Sequence, residues 1–191
     1  MNHIRLEKKG LRGLAVAESF RETDQKSNLA GVVMRRDLVI DGFVFGKATI
    51  EGDDATDTIL SMYERLARQD ISFVLLSGLI ISMYNIVDIK KLWKHLKIPI
   101  IGVTYEESDG IHDAIKHHFP DSYEFKIMQY QRLGERTKVS LHTKHDVYIR
   151  IEGCKLNEAK KLLDTFTLQG AIPEPLRVAH LLAKSELDMR S

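Results

Sequence analysis

The chain has little of what most readily marks a function. One cysteine, Cys154, stands among its 191 residues. That excludes an internal disulfide and fits a reducing compartment. A formal net charge of +1 gives no global field toward nucleic acid or membrane and leaves only local basic patches. No apolar run approaches the roughly 18 to 20 residues that span a bilayer. Met1 to Lys9 lacks the apolar core of a leader. Internal repeats, low-complexity tracts and clear linkers are also missing. These absences point to residues 1–191 as one domain, cytoplasmic, with no membrane partner. What is present builds a core: 43% of residues are hydrophobic, against 29% charged for the surface.

Leu11 to Ala17 is a short apolar run that reads as a strand ending at Glu18. A polar loop from Arg21 to Asn28 leads to a second strand, Leu29 to Met34. After a turn at Arg35-Arg36-Asp37, Leu38 to Ile50 forms a third. Such short connections predict an antiparallel meander. Gly42-Phe-Val-Phe-Gly-Lys-Ala-Thr49 imitates a phosphate-binding loop, but it is one residue short between its glycines and Ala48 replaces the required hydroxyl. Phe43, Val44 and Phe45 are read as sheet core.

Asp53-Asp54-Ala-Thr-Asp57 opens a helix with Ile59, Met62, Tyr63 and Leu66 at helical spacing. Ile71 to Leu76 is apolar on both faces, as a buried parallel strand should be. A polar exit loop, Ser77 to Asp88, follows. The next helix carries Ile86, Ile89, Trp93 and Leu96 on one side and Lys90, Lys94 and Lys97 on another. Pro99 to Thr104 is a fifth strand. A meander that feeds parallel strands through crossover helices is the α/β pattern of the ribonuclease H-like fold. It sets the first strand mid-sheet beside the fourth, with Glu18 and Ser77 as neighbours. Ligands of such sheets gather where strands end, so the exit loop is the first place to look for function.

Beyond Thr104, a short helix runs to about Phe119. Residues 120–151 read as an inserted strand-rich elaboration, a small antiparallel sheet. Its strands are Tyr123 to Gln131, Lys138 to Leu141 and Asp146 to Ile151, with a hairpin turn at His142 to His145. Two helices close the chain. The first is marked by Leu156, Ala159, Leu162, Leu163 and Phe166. The second starts at Pro175 and carries Leu176, Ala179, Ala183 and Leu187.

Seven stretches together resemble endonuclease V, and more closely its uncharacterised, largely archaeal relatives of domain-of-unknown-function family number ninety-nine. They are Gly13-Leu-Ala-Val-Ala-Glu-Ser-Phe20, Val39-Ile-Asp-Gly42, Gly52-Asp-Asp-Ala-Thr-Asp57, Val74-Leu-Leu-Ser-Gly78, Tyr84-Asn-Ile-Val-Asp88, Ile98-Pro-Ile-Ile-Gly-Val103 and Ile172-Pro-Glu-Pro-Leu-Arg-Val-Ala-His180. The resemblance implies a nuclease whose acids hold Mg2+ or Mn2+ beside a nucleic acid phosphate. Glu18 matches the first acid and Asp54 the second, and these two are the expected metal ligands and catalytic residues. The third acid falls at Ser77 and a histidine position near Cys154, so both depart from the pattern. The Pro-Tyr wedge of endonuclease V is also missing from Lys47 to Asp53.

Other readings stand beside this one. Acids at a helix start complement its dipole. Asn85 and Asp88 are placed to cap the second helix, Asn85 above all, and both are kept with Gly78 as pocket residues. Arg177 and His180 share a face of the last helix and are also read as pocket residues. Arg177 is suited to bridge Glu18 or Asp88, or to bind phosphate. His112, His117 and His118 miss metal-favouring spacing and read as surface, and Cys154 reads as a small buried residue. The expected function is a metal-dependent protein that binds or cleaves nucleic acid, or binds a nucleotide. The alternatives are a non-catalytic binding module and a small-molecule enzyme using the same cleft.

Overall fold

A computed structural model describes residues 10–189; Met1 to Lys9, which bear on the absence of a leader, lie outside them. β1 (Arg12–Ser19), β2 (Lys26–Arg35) and β3 (Ile40–Thr49) form the meander, followed by α1 (Ala55–Arg65) and β4 (Ile71–Ser77). The exit loop folds into a minimal hairpin, β5 (Ile80–Ile81) and β6 (Asn85–Ile86), before α2 (Ile89–Leu96) and β7 (Ile100–Thr104). Then come α3 (His112–His118), α4 (Tyr123–Arg132), β8 (Thr137–Ser140), β9 (Asp146–Glu152), α5 (Leu156–Phe166) and α6 (Glu174–Asp188). The main sheet has seven strands in the order β3-β2-β1-β4-β7-β9-β8. β1 pairs with β4 in parallel, Leu14 opposite Val74 and Val16 opposite Leu76. The architecture is a ribonuclease H-like mixed sheet.

Side-chain alternation along the central strands feeds two cores. Leu14, Val16, Leu29, Val74 and Leu76 face one side, where Ile59, Met62 and Leu92 from α1 and α2 cover them. Ala15, Ala17, Val32, Phe73 and Leu75 face the other, under Leu162, Phe166, Leu176 and Ala179 from α5 and α6. Small and large residues interlock across β1 and β4. The Phe73 ring lies against Gly13, where a Cβ would come within 2.1 Å of two ring carbons. Its edge meets Phe166 with centroids 5.3 Å apart.

Three sequence expectations need correcting. Tyr123 to Gln131 is helix α4, not strand. Tyr123, Phe125 and Ile127 alternate as strand residues do, but the segment joins neither edge of the sheet. The helix instead lies across the strand ends, leaves Phe125 51% exposed and buries Lys126 to 4%. The later strands do not form a separate small sheet. β9 pairs with β7, Val103 opposite Ile149, and β8 becomes the sheet edge. Of the β3 residues read as core, Val44 is buried, while Phe43 and Phe45 are 49% and 39% exposed. They point to the α6 side, and α6 packs on β1 and β2.

Candidate nucleic-acid interface at the strand ends

Because β1 and β4 run in parallel, their C-terminal residues Glu18 and Ser77 arrive at one rim. Glu18 follows Leu14 and Val16 on the α1 side, whereas Ser77 follows Phe73 and Leu75 on the α6 side. They and Gly78 line a cavity of about 10 Å3, room for about one water. Gly78 turns the chain at φ +87°, open to glycine at no steric cost, and donates its N–H to Val103 O at 2.9 Å. Tyr105 packs beside Ser77, and burial pushes its hydroxyl up to about 12.

The β5–β6 hairpin stands over this rim. Its turn places three consecutive non-glycine residues in the left-handed region: Ser82, Met83 and Tyr84 at φ +47°, +51° and +68°. Each costs about 1–2 kcal/mol for an L-residue, so the surroundings must hold them. Glu18 does most of this. Ser82 N donates to both carboxylate oxygens at 2.8 and 2.9 Å, and Ser82 Oγ donates to Oε2 at 2.7 Å. Ser27 Oγ bonds Ser82 Oγ from behind. Glu51 N donates to Ser82 O at 2.7 Å. The buried Lys126 ammonium donates to Tyr84 O, Gly52 O and Asp53 Oδ1 at 3.1, 2.6 and 2.8 Å. The Tyr84 ring packs against His118 and Phe119 at 5.0 and 5.6 Å.

Asp54 holds the hairpin from its other side. Asn85 Nδ2 donates to Asp54 Oδ1 at 2.8 Å and to Thr49 O at 2.9 Å. Thr49 gives Asp54 its N–H at 2.9 Å and its hydroxyl at 2.7 Å. Burial alone would raise the Asp54 carboxyl, but the bonds from Thr49 and Asn85 outweigh it and hold the group below the usual carboxylate range. Asp54 therefore makes no side-chain cap to α1. Asn85 takes that role, its Oδ1 accepting from Ala55 N at 3.1 Å, so it serves the first helix and not the second. Asp88 caps α2 through Lys91 N at 2.9 Å. It also lines a cleft of about 160 Å3 with Asp53, Lys91, Gln129 and Arg132.

Glu18, Ser77 and Gly78 thus share one cavity, and Asp54 and Asn85 share one hydrogen bond three residues along the hairpin from Ser82. Asp88 lines the cleft next to them. The other named residues lie elsewhere. Cys154 follows β9, whose Glu152 sits opposite Ile100, so it belongs to the far end of β7. It is 8% exposed, and burial, then Glu158 and Glu152, push its thiol up to about 12. Arg21, just past β1, donates to Leu187 O, which puts the C-terminal end of α6 at the rim. Arg177, ten residues earlier, is about 15 Å back along the helix, and His180 is about 10 Å back. Arg177 pairs with Glu174 rather than Glu18 or Asp88. Ser82, Thr49 and Lys126 were not foreseen. No glycine marks the left-handed turn, and reading α4 as a strand hid Lys126.

The family model described as endonuclease dU matches residues 9–186. The chain belongs to the endonuclease dU family. A UPF0215 protein of Pyrobaculum calidifontis is 36% identical over 171 residues, 89% of this chain and 93% of the relative. A crystal structure of a protein of unknown function from Archaeoglobus fulgidus superposes with a TM-score of 0.80 at 29% identity, covering 93% of this chain and 98% of the other. Endonuclease V of Ciona intestinalis, in complex with a 24mer DNA containing an inosine, shares the fold with a TM-score of 0.64 at 15% identity, over 97% and 89% of the two chains. In this endonuclease dU family member, no three His, Cys, Asp or Glu side chains among the described residues group as metal ligands. Both rim carboxylates are occupied by protein donors. No helix of the described residues is long and apolar enough to cross a membrane.

Proposed function

We propose that this endonuclease dU family member binds nucleic acid along the strand-end rim and hydrolyses a phosphodiester bond there. The observation that carries the reading is the convergence of Glu18 from β1 and Asp54 from the start of α1 on a single hairpin. It occurs where α/β sheets receive their ligands. The family description, endonuclease dU, supports an endonuclease acting at deoxyuridine, and the DNA-bound endonuclease V on the same fold supports the class of partner. A cytoplasmic location, argued from the single cysteine, is part of this reading.

Phosphodiester hydrolysis needs a base for the attacking water. Glu18 is the rim carboxylate suited to that task, part-exposed and beside the cavity at Gly78. Asp54, held ionised by Thr49 and Asn85, is the weaker base and positions the hairpin. The resemblance to endonuclease V also implies Mg2+ or Mn2+. As arranged, this donor set does not fit a resident dication. Ser77 brings no charge, and the oxygens of Glu18 and Asp54 already accept hydrogen bonds from Ser82, Thr49 and Asn85.

That saturation favours a second reading, a binding module without cleavage. The deciding experiment follows a 5′-labelled oligonucleotide carrying one deoxyuridine, in EDTA and in Mg2+ or Mn2+, by product gel and anisotropy. Cleaved product supports the first reading. Binding without product in either condition supports the second, and no binding refutes both. Weak Mg2+ or Mn2+ binding at Glu18 and Asp54 is tested by Mn2+ calorimetry of wild type against Glu18→Ala. A site-specific heat must vanish in the variant.

A further inference from the structure

A second cleft, of about 550 Å3, opens between the C-terminal end of α4, the loop after β7 and strand β9. Two guanidinium groups line it. Arg150 is 9% exposed. Its Nε donates to Gly134 O at 2.8 Å, and its guanidinium stacks on the Tyr130 ring at 5.5 Å. Arg136 stacks on Tyr148 at 5.1 Å and donates to Thr104 Oγ1, Glu106 O and Ser108 O at 3.3, 3.0 and 2.8 Å. Arg12 and Arg68 have Asp41, Arg35 has Asp37 and Arg177 has Glu174 as carboxylate partners, while the exposed Arg65 and Arg132 bond Phe45 O and Met128 Sδ. Arg150 is the most buried of these and has no carboxylate partner among the described residues. Its pKa lies below the usual arginine value through burial, and the charge of Arg136 adds to this against the opposing Tyr130 hydroxyl.

A buried cation without counter-charge is unfavourable. The tyrosine faces offset part of that cost, and the guanidinium N–H groups beyond those given to Gly134 O, Thr104 Oγ1, Glu106 O and Ser108 O remain for an anion. Two such forks side by side suit the oxygens of a phosphate. Glu107, Asp109 and Glu135 also line the cleft, but they are exposed, and none forms an ion pair with either guanidinium. Gly110, at φ +108°, lets the loop after β7 close on Tyr130. A Cβ there would stand 3.3 Å from the tyrosine hydroxyl.

We infer that this cleft binds the phosphate of a nucleotide, with Arg136 and Arg150 as paired phosphate ligands on a Tyr130–Tyr148 platform. The phosphate belongs either to a free nucleotide or to a nucleic acid strand. The strand form rests on the function proposed above, because Tyr130 lies one helical turn from Lys126, the residue that holds the rim hairpin. The site itself does not rest on it.

The full chain is titrated with inorganic phosphate, deoxyuridine 5′-monophosphate and a 5′-fluorescein 15-mer single-stranded DNA, by calorimetry for the first two and anisotropy for the third. Arg136→Gln is expected to weaken each probe that wild type binds by at least tenfold and to lower the salt slope of oligomer binding by about 1. Arg150→Lys, which keeps charge but loses the fork, is expected to weaken the same probes with the salt slope unchanged; Lys90→Gln on α2 stays within twofold. Oligomer binding weakened by Arg136→Gln assigns the site to a strand. Binding of phosphate or the monophosphate alone, weakened likewise, assigns it to a free nucleotide and removes its support from the polymer reading. Should no probe bind, or should Arg136→Gln bind as wild type does, the inference falls. Arg136 is part-exposed, so its variant carries the test even if Arg150→Lys misfolds.

Discussion

Replacing Glu18 with alanine removes the acceptor of three hydrogen bonds from Ser82, a residue that is 0% exposed. A hydrogen bond to a charged group contributes about 1.5–3 kcal/mol, and a buried donor left unpaired costs about 1–3 kcal/mol. The bonds share one donor residue and are not additive, so the expected loss is about 3 kcal/mol. For a chain of this size that is a fall of roughly 6–12 °C in Tm. The left-handed turn supplies the mechanism: about 1–2 kcal/mol of backbone strain per residue at Ser82, Met83 and Tyr84 is no longer offset, so the hairpin opens ahead of the sheet. Denaturant unfolding gives the magnitude. Hydrogen exchange gives the location, through the Glu51 amide that donates to Ser82 O. Its protection should collapse in Glu18→Ala while the Val74 amide, in the middle of the central strand β4 and bonded to Pro99 O, keeps its own. A loss below about 1 kcal/mol, or equal loss of protection at both amides, would refute the claim that Glu18 holds a strained turn.

Gly13→Ala should cost about 1–3 kcal/mol by overpacking, because the new methyl meets the Phe73 ring. Phe73→Leu should relieve part of that cost, so the double variant is more stable than the sum of the singles, as denaturant midpoints will show. The Cys154 thiol, pushed up to about 12 by burial, should resist a thiol reagent at pH 8 until the protein is unfolded. Its folded value lies above its unfolded one, so the unfolded chain loses that proton first. Stability should fall as pH rises from about 9 toward about 12, and Cys154→Ala should flatten that slope. Asp41 titrates below its ordinary value of 3.8 through hydrogen bonds from Arg12 and Arg68. The unfolded chain takes up that proton first as pH falls, so stability is present above pH 3.8 and lost below it. Asp41→Asn should shrink this acid limb in urea unfolding followed against pH.

The meander, the parallel crossovers and the central place of β1 were legible because each rests on local signals: apolar runs of strand length, short polar connections and helical spacing. The convergence of Glu18 and Ser77 on one rim followed from strand order alone. Which face each side chain takes did not, since a strand end offers both and only the register of β1 against β4 decides. α4 was misread because Tyr123, Phe125 and Ile127 alternate, and the long-range demand of Lys126 for Gly52, Asp53 and Tyr84 overrides that pattern. The capping role of Asn85 went to α1, thirty residues earlier in the chain, a partnership that spacing cannot reveal. The left-handed turn at Ser82–Tyr84 was invisible for a similar reason: it is imposed by Glu18 and Lys126 from outside the segment. Arg136 and Arg150 are fourteen residues apart on different strands or their approaches, and nothing local sets them side by side.

The central claim, that Glu18 does chemistry at the rim, is tested most directly by single-turnover cleavage of a deoxyuridine-containing oligonucleotide by wild type and by Glu18→Gln, which keeps an acceptor for Ser82. Loss of a general base costs about 10²–10⁴ in rate, so the variant should cleave at least a hundredfold more slowly while binding the oligonucleotide as wild type does. Cleavage by Glu18→Gln at the wild-type rate would contradict the account.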